Sequence, residues 1–204
     1  MIPLNQDLPT IQRLNIHKFK FVAWLLALLP LAIFALLLNA QSTIVSGHSI
    51  YGTLSWVPSL GISLSWQIDG LSLLFGLLIS GIGALVLVYA SGYLASDGQL
   101  GRFYLYLLTF MIAMLGLVFS ANLLTLFIFW ELTSISSYLL IGYKHRYQSS
   151  RSSALQALLV TGSGGLALLA GILLLGQVSG TMESGELAVQ SQMIQEDPLY
   201  NVLA

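Results

Sequence analysis

Residues 123–143 read LLTLFIFWELTSISSYLLIGY, an apolar run with a single carboxylate, Glu131, about halfway along it. A helix needs roughly 20 predominantly apolar residues to cross the hydrocarbon core of a bilayer, and this run supplies them. A charge at that depth costs about 2.5–3.5 kcal/mol on insertion scales. Such a residue therefore needs a reason to be there. Burial favours its neutral form and a nearby cation its charged form, so a carboxyl between the two can take up and release a proton. One turn on, Ser134, and two turns on, Tyr138, share its helix face and are positioned to bond it or hold water. The plainer alternative is a protonated acid that only cross-links helices.

The rest of the chain repeats the pattern. Spans at 21–39, 70–90, 103–120, 122–143 and 153–176 make an all-α membrane protein of about five transmembrane helices. Residues 1–20 form an N-terminal tail, 40–69 a loop, and 177–204 an acidic tail. Composition agrees. Of 204 residues 56% are hydrophobic and only 7% charged, against roughly 25% charged in soluble domains. A net charge of −1 gives no reason to expect nucleic acid as a partner. The absence of cysteine excludes disulfides, thiolate nucleophiles and cysteine-ligated clusters.

All seven basic residues fall on one side of the alternating spans: Arg13, Lys18, Lys20, Arg102, Lys144, Arg146 and Arg151. The positive-inside rule places that side, with the N-terminus, in the cytoplasm. The first span is longer than the apolar part of a signal peptide, and Leu38-Asn39-Ala40 is a poor cleavage site. On the opposite side, apolar Leu60, Ile62, Leu64, Trp66 and Ile68 alternate with Gly61, Ser63, Ser65 and Gln67, the period of a half-buried strand. With Leu54 and Trp56 before Pro58-Ser59, this predicts an outer-face β-hairpin ahead of the second helix, its tryptophans near the headgroups. Tyr89, Tyr93, Tyr104, Tyr143 and Tyr147 would make the inner aromatic belt.

Other features read as structure. Asp69 and the Ser120-Ala121-Asn122 turn look like helix caps. Small residues at four-residue spacing, Gly76, Ser80 and Ala84, then Ser163, Ala167 and Gly171, let helix backbones approach closely. Gly162, Gly164 and Ala167 match a dinucleotide fingerprint, but inside an apolar span they belong to packing. His145 reads as part of a solvated basic cluster, with proton entry as the alternative. His17 and His48 lack ligand spacing, so neither a metal nor a cofactor is expected. No hydrolytic motif is present.

The string FIFWELTSISSYLLIGY at 127–143 resembles the fifth helix of the large antiporter-like subunits: the A subunit of Mrp-type sodium/proton antiporters and the subunit 5 relatives of respiratory complex I, NADH-quinone oxidoreductase. DGLSLLFGLLISGIGALVLVYASGY, RFYLYLLTFMIAMLGLVFSANLL and VTGSGGLALLAGILLL resemble the family's third, fourth and sixth helices. Leu-Thr-Ser-Ile-Ser-Ser after Glu131, and Gly162-Ser163-Gly164-Gly165 where many complex I relatives carry charges, favour the Mrp branch. The resemblance implies the N-terminal portion of an antiporter-like fold of about fourteen helices, a fold-level analogy. It further implies that Glu131 pairs with a lysine of the seventh helix to pass protons.

That lysine lies beyond the similarity, which stops where a seventh helix would begin. The resemblance thus implies partners: other membrane subunits, a chain supplying the lysine, protons and sodium, in a plasma-membrane complex. A redox-driven NAD(P)H-quinone oxidoreductase and a non-conducting assembly element are the competing readings.

Overall fold

A computed structural model describes residues 10–57, 62–94 and 99–190. The chain forms helix α1 (Thr10–Val45), strands β1 (Ile50–Val57) and β2 (Ile62–Ile68), then helices α2 (Gly70–Tyr93), α3 (Leu100–Phe119), α4 (Leu123–Ile141), α5 (Gln148–Ser179) and the short α6 (Ser184–Val189). Five of the helices are long and apolar enough to cross a membrane. The predicted turn at Pro58-Ser59, with Leu60 and Gly61, lies outside the described residues, as do Glu196 and Asp197.

The helices outrun the apolar segments that announce them. α1 starts at Thr10, within the stretch read from sequence as a tail. α5 starts at Gln148 with two polar turns before its apolar run. A helix satisfies its own backbone in water as well as in lipid, so hydropathy marks the membrane-crossing part and not the helix end. Capping marks the ends better. Asp69 accepts from the Ser72 N–H at 2.8 Å while the Asp69 N–H donates to Ser72 Oγ at 2.7 Å, a reciprocal box that opens α2. The Ser72 N–H holds the Asp69 carboxyl below the ordinary carboxylate range. Asn122 Oδ1 accepts from the N–H groups of Leu124 and Thr125 and opens α4.

Each long helix packs chiefly on its neighbours in sequence, α1 on α2, α2 on α3, α3 on α4 and α4 on α5. Close approach is set by glycines. At Gly76 a Cβ would strike Phe119 and Leu37, and at Gly83 the Met111 side chain. The Gly76, Ser80 and Ala84 stripe is buried accordingly. The second stripe is not: Ser163 and Ala167 are exposed on α5. A Cβ at Gly162 or Gly164 would also meet nothing within 4 Å, so the packing expected of these two glycines is absent among the described residues. Tyr104 and Tyr143, expected in an interfacial belt, are buried instead. Tyr143 packs edge-on against Phe103.

The strands pair antiparallel from Ile50 opposite Ile68 to Val57 opposite Ile62, with an irregularity between Ser55 and Val57. The period-two pattern is present, with the covered side carrying the serines. Ser65 is 2% exposed, whereas Leu54, Trp56 and Trp66 lie open. Polar contacts explain the choice. The Ser65 carbonyl accepts from the Ala121 N–H at 2.9 Å and the Ser63 carbonyl from Thr125 Oγ1 at 3.0 Å. The hairpin thus lies with its hydroxyl face on the α3–α4 turn. Trp66 lies across Gly52, where any Cβ would meet the indole.

Candidate functional site

Glu131 sits near the middle of α4 and points at α5. Its Oε1 is buried and has no hydrogen-bond partner among the described residues. What it touches is the backbone of Gly165. A Cβ built there would land on Oε1 and stand 3.1 Å from the carboxyl carbon. The glycine therefore acts as a seat, and the carboxyl occupies the space that a side chain would fill. A buried carboxyl oxygen without a donor is costly, and such exceptions in native structures call for a functional or solvent explanation. The arrangement suits a group that exchanges a proton with something outside this chain.

The companions expected from sequence are not assembled around it. Ser134 is buried, but its Oγ donates to the Trp130 carbonyl at 3.2 Å. A helical serine that bonds the carbonyl four residues back has used the proton it would offer a neighbour. Tyr138 lies further along α4 and lines a cleft with His145, away from the carboxyl. No basic residue among those described contacts Glu131.

A second polar centre, at the hairpin end, is one that the sequence does not single out. Glu183, in sequence only one acid of an acidic tail, folds back onto the hairpin. Its Oε1 accepts from Ser65 Oγ and Asn122 Nδ2, both at 2.9 Å, and from Ser63 Oγ. Tyr51 reaches Oε2 at 3.5 Å. Backbone bonds reinforce the junction: Leu123 N–H to the Met182 carbonyl, and Ser184 N–H to the Ala121 carbonyl. The alternation of serines through Ser63 and Ser65 is the one signal of it, since hydroxyls on one strand face need an acceptor when buried.

Comparison with known proteins agrees with this architecture. Residues 54–104 match the family described as NADH-ubiquinone oxidoreductase (complex I), chain 5 N-terminus. Residues 120–203 match the NADH:quinone oxidoreductase/Mrp antiporter transmembrane family. The Na(+)/H(+) antiporter A1 subunit of Staphylococcus haemolyticus is 44% identical over 179 residues, covering 88% of this chain and 22% of that protein. Its Staphylococcus aureus counterpart matches to the same extent. In the structure of the Mrp complex from Dietzia sp. DQ12-45-1b, one chain superimposes with a TM-score of 0.75 at 27% identity, over 95% of this chain and 22% of that one. The archaeal membrane-bound sulfane sulfur reductase shares the fold, with a TM-score of 0.70 at 19% identity over 97% of this chain and 32% of that one.

The fold is that of the antiporter-like membrane subunits shared by Mrp complexes and complex I. Within that class, the chain is similar over 88% of its length to the A1 subunits of Na(+)/H(+) antiporters. It spans about a fifth of the length of these relatives, 22%.

Proposed function

We propose that this chain is membrane-embedded machinery of a multisubunit sodium/proton antiporter, with Glu131 as its mid-membrane proton carrier. The observation that carries the reading is the buried Oε1 of Glu131 against Gly165, without a hydrogen-bond donor among the described residues. A carboxyl held without a permanent partner in an apolar helix is free to accept a proton and to pair transiently with a cation. The cation would be a lysine supplied from outside these residues, by a further stretch of the same polypeptide or by a neighbouring membrane protein of the complex. Homology to sodium/proton antiporter subunits supports sodium as the exchanged ion. The one-sided basic residues support a cytoplasmic N-terminus in the plasma membrane.

The test is Glu131→Gln in the assembled complex, assayed as sodium-driven proton movement in membrane vesicles. Glutamine keeps shape and polarity but cannot carry the proton, so antiport falls to background with assembly unchanged. Undiminished antiport in the variant would eliminate Glu131 as the carrier.

A second reading has one specific support. The matched family models also describe NADH:quinone oxidoreductases, so the same proton path can serve a redox-driven pump. NADH-dependent proton uptake by the purified complex, without a sodium requirement, would favour it.

A further inference from the structure

At the end opposite the hairpin, a cleft of about 180 Å³ opens where the start of α3, the end of α4 and the start of α5 meet. Arg102, Tyr106, Tyr138, His145 and Arg151 stand around it. The proton reading uses none of them. We propose that this cleft binds the phosphate of an anionic phospholipid headgroup.

Charge balance is the first support. Two guanidinium groups from different helices line one small cleft, and no carboxylate lines it among the described residues. Like charges brought together in this way repel unless an anion is shared between them. The donors are also prepared. Arg102 is held by Gln99 Oε1 at 2.7 Å and by Tyr106 OH at 3.1 Å, with its guanidinium over the Tyr106 ring. Arg151 donates from Nη1 to the His145 carbonyl at 2.9 Å, and its Nε and Nη2 make no hydrogen bond among the described residues. The planar guanidinium fork matches phosphate oxygens in pairs. Tyr138 lines the same cleft, and its hydroxyl makes no hydrogen bond among the described residues.

Depth supplies the second support, and it selects a lipid over free phosphate. The cleft lies at the ends of three candidate membrane spans. Buried Ala154, where the apolar run of α5 begins, and Leu139 line it on the apolar side, with Arg151 one turn further out. A ligand there has its phosphate among the arginines and its acyl chains beside the helices. Basic pockets between membrane helices hold headgroups by this geometry. Lys144 and Arg146 carry the same charge at the same end but do not line the cleft.

The inference depends on membrane placement and not on proton transport by Glu131. The assembled complex is reconstituted in phosphatidylcholine nanodiscs with a photoreactive phosphatidylglycerol probe, and crosslinks are mapped by mass spectrometry. Crosslinks are expected on the residues around Arg102, Tyr138 and Arg151, displaced by unlabelled phosphatidylglycerol. Loss of two charge-assisted contacts weakens binding by about tenfold or more. That loss is expected for Arg102→Gln with Arg151→Gln, and not for Lys144→Gln with Arg146→Gln. Equal loss in the two pairs would reduce the effect to surface charge and overturn the proposal. Labelling that survives Arg102→Gln with Arg151→Gln overturns it as well. Displacement by inorganic phosphate as effective as by the lipid would make this a soluble-anion site and overturn the lipid assignment.

Discussion

Adding one methyl group to Gly165 is the smallest change that probes how the Glu131 carboxyl is held. Gly165→Ala places a Cβ where Oε1 now lies, and overpacking of that kind costs about 1–3 kcal/mol or forces the carboxyl away. On the proposed function, antiport should fall by about tenfold and its pH profile should shift, because the proposed carrier has moved. On a Glu131→Asp background, one methylene shorter, the same methyl group finds room and the further loss should be under about twofold. An equal loss on both backgrounds, with an unshifted pH profile in Gly165→Ala, would mean that the glycine serves packing alone. The sequence makes Glu131 conspicuous, as the lone carboxylate in an apolar run. It does not reveal Gly165, whose part depends on how α4 and α5 are registered against each other. Nor does it show that Ser134 turns to the Trp130 carbonyl, since face-sharing says only which groups are near.

Among the elements, the hairpin is held by its polar side. Glu183→Ala would leave Ser63, Ser65 and Asn122 without their common acceptor, at a cost of about 2 kcal/mol for a partly exposed charged acceptor. Glu183→Gln keeps one carbonyl for those donors and should cost about half as much. Hydrogen exchange of the 50–57 and 62–68 amides in the two variants measures the difference. Unchanged protection in Glu183→Ala would show that backbone bonds alone hold the hairpin. The alternation through Ile62, Leu64 and Trp66 is enough to recognise a strand, but not to say which side is covered. Ordinarily the apolar side would be. Here the α3–α4 turn offers N–H groups and an asparagine, and it is the serine face that matches them. Trp56 and Trp66 are thereby left facing out.

For the molecule as a whole, the number of spans is legible because apolar runs of sufficient length have few other uses. The helix ends are not, because α1 and α5 continue where hydropathy stops. Sidedness is testable directly, since the chain has no cysteine. Single cysteines introduced as His48→Cys and Gln148→Cys should label from opposite sides in intact cells, the first with an impermeant thiol reagent and the second only after permeabilisation. The reverse pattern would invert the topology. The neighbour-to-neighbour packing of α1 to α5 also bears on how the protein is made. Each helix meets its partner as soon as the next one leaves the ribosome, so most of the structure can form in order of synthesis with short loop closures. One link cannot. Glu183 joins Ser63 across 120 residues, so the hairpin can rest on the α3–α4 turn but gains its carboxylate acceptor only after five helices have been inserted. A ribosome stalled before residue 183 should therefore hold a nascent chain whose helices are paired and whose hairpin is more open to proteases than in the finished protein.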